Sequence, residues 1–187
     1  MQTLGLSDAG LRSDGRLKSL FWPSIRTSSD VDYLTSQGLW VCAAIGVLSF
    51  VVLAFKGKPI MGSFILFLYF VSGVGVREGS RYAAGWVFLT YFAETIGSGP
   101  HVVRILVSAL LLSNFRAIWI ASRWKPDSPE SARPPRWSET WGDKFADVWP
   151  SWLWPRLRIP YYILSVGYLC LLIVGLVFIL RSRLGID

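Results

Sequence analysis

The chain is poor in the residues from which most active sites are assembled. Its 187 residues hold one histidine and two cysteines. A lone histidine, His101, cannot build a zinc cluster, and the absence of HExxH excludes that class of protease site. Cys42 and Cys170 stand far apart inside apolar runs, with no CxxC spacing, and read as small apolar side chains. GxSG, a phosphate-binding glycine loop and a dinucleotide fingerprint are all missing. No pair of half-length, glycine-broken apolar segments repeats along the chain, as an inverted-repeat transporter would require. The expectation is a protein that is not an enzyme and takes no cofactor or metal.

Charge is also missing, over long stretches. None falls within 39–55 ("LWVCAAIGVLSFVVLAF"), 59–76 ("PIMGSFILFLYFVSGVGV") or 160–180 ("PYYILSVGYLCLLIVGLVFIL"). A hydrocarbon core about 30 Å thick is crossed by about 20 apolar residues in a helix, with about 17 as the lower limit. One such run could be a buried core helix. Three in a chain this short leave too little polar sequence to cover them, so the expected fold is all-α, a polytopic membrane helical bundle. Residues 1–36 are polar and of mixed charge, the composition of a mobile tail. The first apolar run is long for a signal-peptide core and lacks a small-x-small site after it, so it reads as a retained signal anchor.

Residues 77–122 are too long for one crossing and contain charges. They divide into 82–97 and 102–121, separated by "GSGP", a turn signature. This gives five spans, near 39–55, 59–76, 82–97, 102–121 and 160–180, with 37–122 forming a four-span unit. Lys and Arg side chains test the count. In a five-span chain the tail, the 77–81 turn and the 123–159 loop share one side and carry 13 of them, against 5 on the other. With 82–97 demoted to the surface the two sides are equal. Positive residues stay inside, so the expected location is the cytoplasmic membrane, N-terminus cytoplasmic and C-terminus outside. The net charge of +7 is then topology signal and attraction to phospholipid, not a nucleic-acid footprint.

The 123–159 loop begins with a Pro-rich linker, "WKPDSPESARPPR", and then turns aromatic. Trp137, Trp141, Phe145, Val148 and Trp152 recur at helical spacing. That pattern predicts an interfacial amphipathic helix over about 139–149, ended by Pro150. Trp149 and Trp154 add to the indole content, and Arg156 and Arg158 would meet lipid phosphates before the final segment, 160–187. Indole suits the headgroup boundary because it is apolar over most of its area yet keeps one N–H donor. The helix's polar face is acidic, unlike that of a free membrane-seeking helix, which leaves docking onto a partner open. Carboxylates among the tryptophans would repel phosphate, against single-strand stacking.

Polar residues inside spans are the remaining candidates: Glu94, Arg104, Asn114 and Arg116. Glu94 and Arg104 flank the "GSGP" turn at equal distances and would lie at similar depth in a hairpin, where an ion pair would satisfy both. The expected function is a non-catalytic accessory, scaffold or assembly role in the bilayer. A protein partner or second copy would dock through the spans or the 137–154 helix. The alternative is a small transporter or channel subunit with a polar path through Glu94, Arg104 and Arg116. In a background with Cys42 and Cys170 replaced by serine, a cysteine introduced as Glu130→Cys should react with a membrane-impermeant maleimide only from the cytoplasmic side. Labelling from outside in intact cells would invert the topology.

Overall fold

A computed structural model of the chain describes residue 25 and residues 28–98, 101–123 and 141–183; of 28, 29, 98, 141–148, 179, 180 and 183 only the backbone is considered. Five helices make up the described residues, and no strand occurs among them. They are α1 (Ser28–Phe55), α2 (Pro59–Arg77), α3 (Arg81–Ser98), α4 (Val102–Ala121) and α5 (Trp141–Arg183). Helices α1 to α4 run up and down and close into a ring, α4 returning to pack on α1, while α5 lies against α2 and α3. Four helices are long and apolar enough to cross a membrane: Asp30–Phe55, Pro59–Arg77, Val102–Ala121 and Trp149–Phe178. These candidate spans point to a multi-pass membrane protein. Helix α3, with Arg81 and Glu94 in its sequence, is not among the four.

The turns follow from local sequence. Gly57 and Gly79 carry φ of 73° and 74°, a left-handed conformation that favours glycine. After α1, Lys58 N–H donates to Leu53 O at 2.8 Å and Gly57 N–H to Ala54 O at 3.0 Å; after α2, Ser80 N–H donates to Gly75 O at 2.9 Å and Gly79 N–H to Val76 O at 3.0 Å. Both ends are the double-bonded glycine caps that satisfy orphan helix carbonyls. Pro59 then supplies the start of α2 without losing a helical hydrogen bond.

Helices α1 and α2 pack closely because small residues recur at four-residue spacing on α1: Gly38, Cys42 and Gly46. A Cβ placed at Gly38 would stand 2.6 Å from Val76, at Gly46 3.1 Å from Leu66, and at Gly73 of α2 2.9 Å from Cys42. Small contact surfaces let backbones approach and gain dispersion, the main attraction between helices when the surroundings are as apolar as the side chains. Cys42 is thus a buried packing residue, and Cys170 is exposed on α5; both are free thiols.

Large apolar side chains cover the outside as well as the core, and several polar ones lie inside. Val47, Leu48, Val52, Phe55, Ile60, Val102, Val103, Ile163, Leu171 and Phe178 are exposed, whereas Thr35, Ser72, Arg77, Thr90, Ser113, Asn114 and Ser165 are buried. Hydroxyls inside bond back to their own helix: Thr90 Oγ1 to Trp86 O at 2.9 Å and Thr95 Oγ1 to Tyr91 O at 2.8 Å.

Two boundaries differ from the sequence reading. Residues 28–36, assigned to the polar tail, form the first turns of α1, because Leu34 and Thr35 are buried and Asp32 has a partner on α2. The separate interfacial helix over 139–149 does not end at Pro150: α5 continues through Pro150, Pro155 and Pro160. Each proline removes one amide from the ladder, but a turn stays helical where tertiary packing holds it and other donors reach the freed region. Here Pro150, Trp154, Leu157, Tyr161, Ser165 and Tyr168 form one inward stripe, and the Arg156 guanidinium donates to Trp152 O at 3.2 Å.

Trp154 is the anchor of that stripe. Its ring would stand 2.5 Å from a Cβ at Gly75, and Ala83 would stand 2.7 Å away. Gly75→Ala should therefore destabilise the protein in detergent by about 1–3 kcal/mol. The same change should cost less in a Trp154→Ala background; strict additivity in a thermal-unfolding cycle would show that the indole does not need the glycine notch.

Candidate functional site

Three polar junctions hold the helices, and a fourth group of side chains decorates the surface at one end. The first joins α1 to α2. Arg77 closes α2 and is buried to 4%, yet it keeps its charge partnered: Nη1 donates to Asp32 Oδ1 at 2.9 Å, to Asp32 O at 2.7 Å and to Thr35 Oγ1 at 3.1 Å. Arginine suits this place because its fan of donors can satisfy several acceptors at once. The sequence reading counted Arg77 as a topology charge in a turn and Asp32 as tail, so it missed the pair. The signal available was a carboxylate about two turns before the first apolar run and an arginine at the end of the second.

Beside it, α4 presents Asn114 to α1. Asn114 is 1% exposed, its amide packs over Gly38, and neither its Nδ2 nor its Oδ1 has a hydrogen-bond partner. The neighbouring Ser113 hydroxyl is likewise buried and unbonded. Asn114, a candidate polar residue inside a span, sits in a helix interface without a hydrogen bond across it.

The second junction is an aromatic seam where α5 meets α2 and α3. Trp86 of α3 lies with its ring centroid 5.9 Å from Tyr69, 5.9 Å from Tyr161 and 5.8 Å from Tyr168. Tyr82 and Tyr162 meet edge-on at 4.7 Å, and Trp154 lies 5.7 Å from Tyr161. Edge-to-face geometry puts positive ring edges against negative faces and adds about 0.5–1.5 kcal/mol per pair beyond area burial. The polar tips are used: Trp86 Nε1 donates to Ser165 O at 2.9 Å, Tyr82 Oη lies 2.9 Å from Ser165 Oγ, and Ser72 Oγ lies 2.9 Å from Tyr161 Oη. Tyr161, expected in an interfacial belt, is fully buried in this seam.

The third junction contains the hairpin charges. Tyr168 Oη donates to Glu94 Oε1 at 2.9 Å, tying α5 to α3. Arg104 does reach Glu94, but through its backbone carbonyl, with Nη1 3.4 Å from Glu94 O. The two residues therefore share a level at one end of α3 and α4, as their spacing about the turn predicts. His101 is exposed and caps α4 without a side-chain hydrogen bond. Arg116 is half-buried on α4, 12 positions beyond Arg104 in sequence and so about 18 Å along the helix.

On the surface, Trp149 and Trp152 are 47% and 57% exposed, and the Arg156 guanidinium stacks 4.4 Å from the Trp152 ring centroid. Arg158 is exposed as well. Trp152 therefore faces away from the bundle, and Trp154, two residues on, faces into it. Trp137 lies outside the described residues, and of Trp141 and Phe145 only the backbone is considered. A groove of about 450 Å³ runs along α1, lined by Tyr33, Ser36, Gln37, Trp40, Val41 and Ala44. Among the described residues, no three His, Cys, Asp or Glu side chains converge where they could hold a metal ion. No family model, curated protein or solved structure matches the chain.

Arg77→Ala leaves the Asp32 carboxylate and the Thr35 hydroxyl without their donor. Because Asp32 is half exposed, water recovers part of that loss, and the expected cost is about 1–3 kcal/mol in detergent unfolding. Asp32→Asn, which keeps the backbone acceptor and an amide oxygen, should cost less; an equal or larger loss would mean that the charge, not the acceptors, holds Arg77.

Proposed function

We propose that this is a non-catalytic, five-span protein of the cytoplasmic membrane, acting as an accessory, scaffold or assembly component whose tryptophan-rich approach to the last span anchors it or docks a partner. The observation that carries the reading is the outer surface: bare aliphatic and aromatic side chains cover it, while hydroxyls, an amide and a paired arginine lie inside among the apolar core. Such a surface is stable only where hydrocarbon or another apolar partner covers it.

Counting α3 as the fifth span rests on its neighbours. It packs against α2, α4 and α5, all candidate spans. Tyr82 near its start meets Tyr161 and Tyr162, Trp86 meets Ser165, and Glu94 near its end meets Tyr168, so α3 and α5 advance side by side through the same depth. Eighteen residues rise about 27 Å, close to the hydrocarbon thickness. Its single carboxylate is shielded from lipid by a tyrosine hydroxyl.

The scaffold reading is favoured over the transporter because the charges do not line one path. Glu94 and Arg104 lie at one end of the bundle and Arg116 near the other, and the α1 groove is lined by none of them. The non-enzymatic assignment rests on the missing catalytic motifs. Exposed Trp149 and Trp152 are the side chains a partner would bury, since indole is over-represented where binding energy concentrates.

The expected outcome is retention of the chain in alkali-washed membranes, with His101→Cys labelled by an impermeant maleimide from outside the cell. A partner recovered under gentle detergent should be lost on combining Trp149→Ala and Trp152→Ala while the protein stays folded. Release by alkali would overturn the membrane reading, absence of any such partner the docking role, and proton or ion flux in liposomes abolished by Glu94→Gln would establish the transporter instead.

A further inference from the structure

We infer that Trp119, Arg81 and Arg123 form a binding site for the phosphate of an anionic phospholipid. Trp119 stands one turn before the end of α4 and is 42% exposed. Arg123, just past that end, places its guanidinium carbon 5.3 Å from the indole centroid, and Arg81, the first residue of α3, places its own 6.0 Å from the same ring. Two cations are thus held by one aromatic face system, no farther apart than the sum of those distances, and both are exposed. Among the described residues, neither has a carboxylate within ion-pair reach; the ion pair at this end joins Arg77 and Asp32. Glu78, the acidic residue of the adjoining turn, has a carboxylate oxygen buried away from this surface.

Guanidinium forks fit phosphate oxygens better than any other side chain does, and two of them border one exposed indole here. The start of α3 adds the partial positive charge of a helix N-terminus on the same side. The location selects a lipid over a dissolved anion. The site sits at the level where α3 starts and α4 ends, above exposed apolar side chains such as Leu89, on which acyl chains would lie. Indole prefers that level, and its ring leaves room for a headgroup without enclosing a free ion on all sides. The inference rests on the reading of α4 as a membrane span and of this end as the side of the anionic leaflet.

The test uses the full chain in nanodiscs and in detergent. Native mass spectrometry with phosphatidylglycerol against phosphatidylcholine should show preferential retention of the anionic lipid. The Arg81→Gln and Arg123→Gln pair should reduce it about tenfold or more. Lys56→Gln, in the exposed turn after α1 at the opposite end of the bundle, should leave it unchanged, and the paired Lys variants should keep part of it. Inorganic phosphate added to detergent-solubilised protein should not reproduce the lipid's thermal stabilisation; if it does so through the same arginines, the site takes free phosphate and the lipid assignment is wrong. Equal retention of both lipids, or an unchanged preference in the Gln pair with an intact melting transition, would overturn the site itself. Failure of the chain to enter nanodiscs at all would instead refute the membrane reading on which the site rests.

Discussion

In hydrocarbon, an amide or hydroxyl that lacks a partner cannot borrow one from water, and most of the architecture follows from that constraint. The backbone is satisfied by helices. Side-chain hydroxyls are satisfied by bending back on their own helix, as at Ser72, Thr90 and Thr95. Turns are closed by glycines that let two amides reach back to orphan carbonyls. Among the described residues the buried arginine is Arg77, where a carboxylate, a carbonyl and a hydroxyl converge on it. Exceptions among the described residues include Asn114, Ser108 and Ser113, whose buried polar atoms lack a hydrogen-bond partner; at Asn114 the helices meet so closely that the side chain fills the notch over Gly38 by shape.

With no hydrophobic effect to drive helices together inside lipid, association depends on close contact and on a few directed bonds. The two halves of the molecule use different means. Between α1 and α2 the contact is backbone against small residue, through Gly38, Cys42, Gly46, Gly62 and Gly73. Between α5 and the α2–α3 pair it is ring against ring, with Trp86 at the centre and hydrogen bonds at the polar tips. The seam also explains the register of α5, because Trp154 needs the hole over Gly75 while Tyr161 needs Ser72, and these sit one turn apart on α2.

Element positions were legible in the sequence wherever a charge-free run was bounded by glycine or proline. Helices α2 and α4 lie within a residue or so of the runs 59–76 and 102–121. The shared level of Glu94 and Arg104 was legible too, because a tight turn fixes antiparallel register by counting. Contacts between distant segments were not. That Arg77 meets Asp32, or that Tyr168 meets Glu94, depends on which helix faces of residues dozens of positions apart come together, and periodicity within one helix is silent on that. The Gly38, Cys42 and Gly46 spacing is readable in the sequence as a close-packing surface. On α2, Gly75 receives an indole, and Gly79 just past its end makes the turn.

The tryptophan-rich stretch shows how a correct local pattern can carry a wrong boundary. Pro150 was expected to end the helix because proline breaks an isolated helix at a cost of about 3 kcal/mol. Isolation is the condition that fails. From Pro150 onward the inner stripe of α5 is held against the bundle, so the alternative to a strained helical turn is the loss of the aromatic seam. A continuous helix also changes what the indoles do. At 1.5 Å per residue, the 30 residues from Trp149 to Phe178 span about 45 Å, well beyond the hydrocarbon core. Trp149, Trp152 and Arg156 then stand along the axis of the candidate span Trp149–Phe178, toward its N-terminal end, and not on a separate helix beside it. One residue of the stretch, Trp154, fixes the helix to the bundle, while Trp149 and Trp152 face outward.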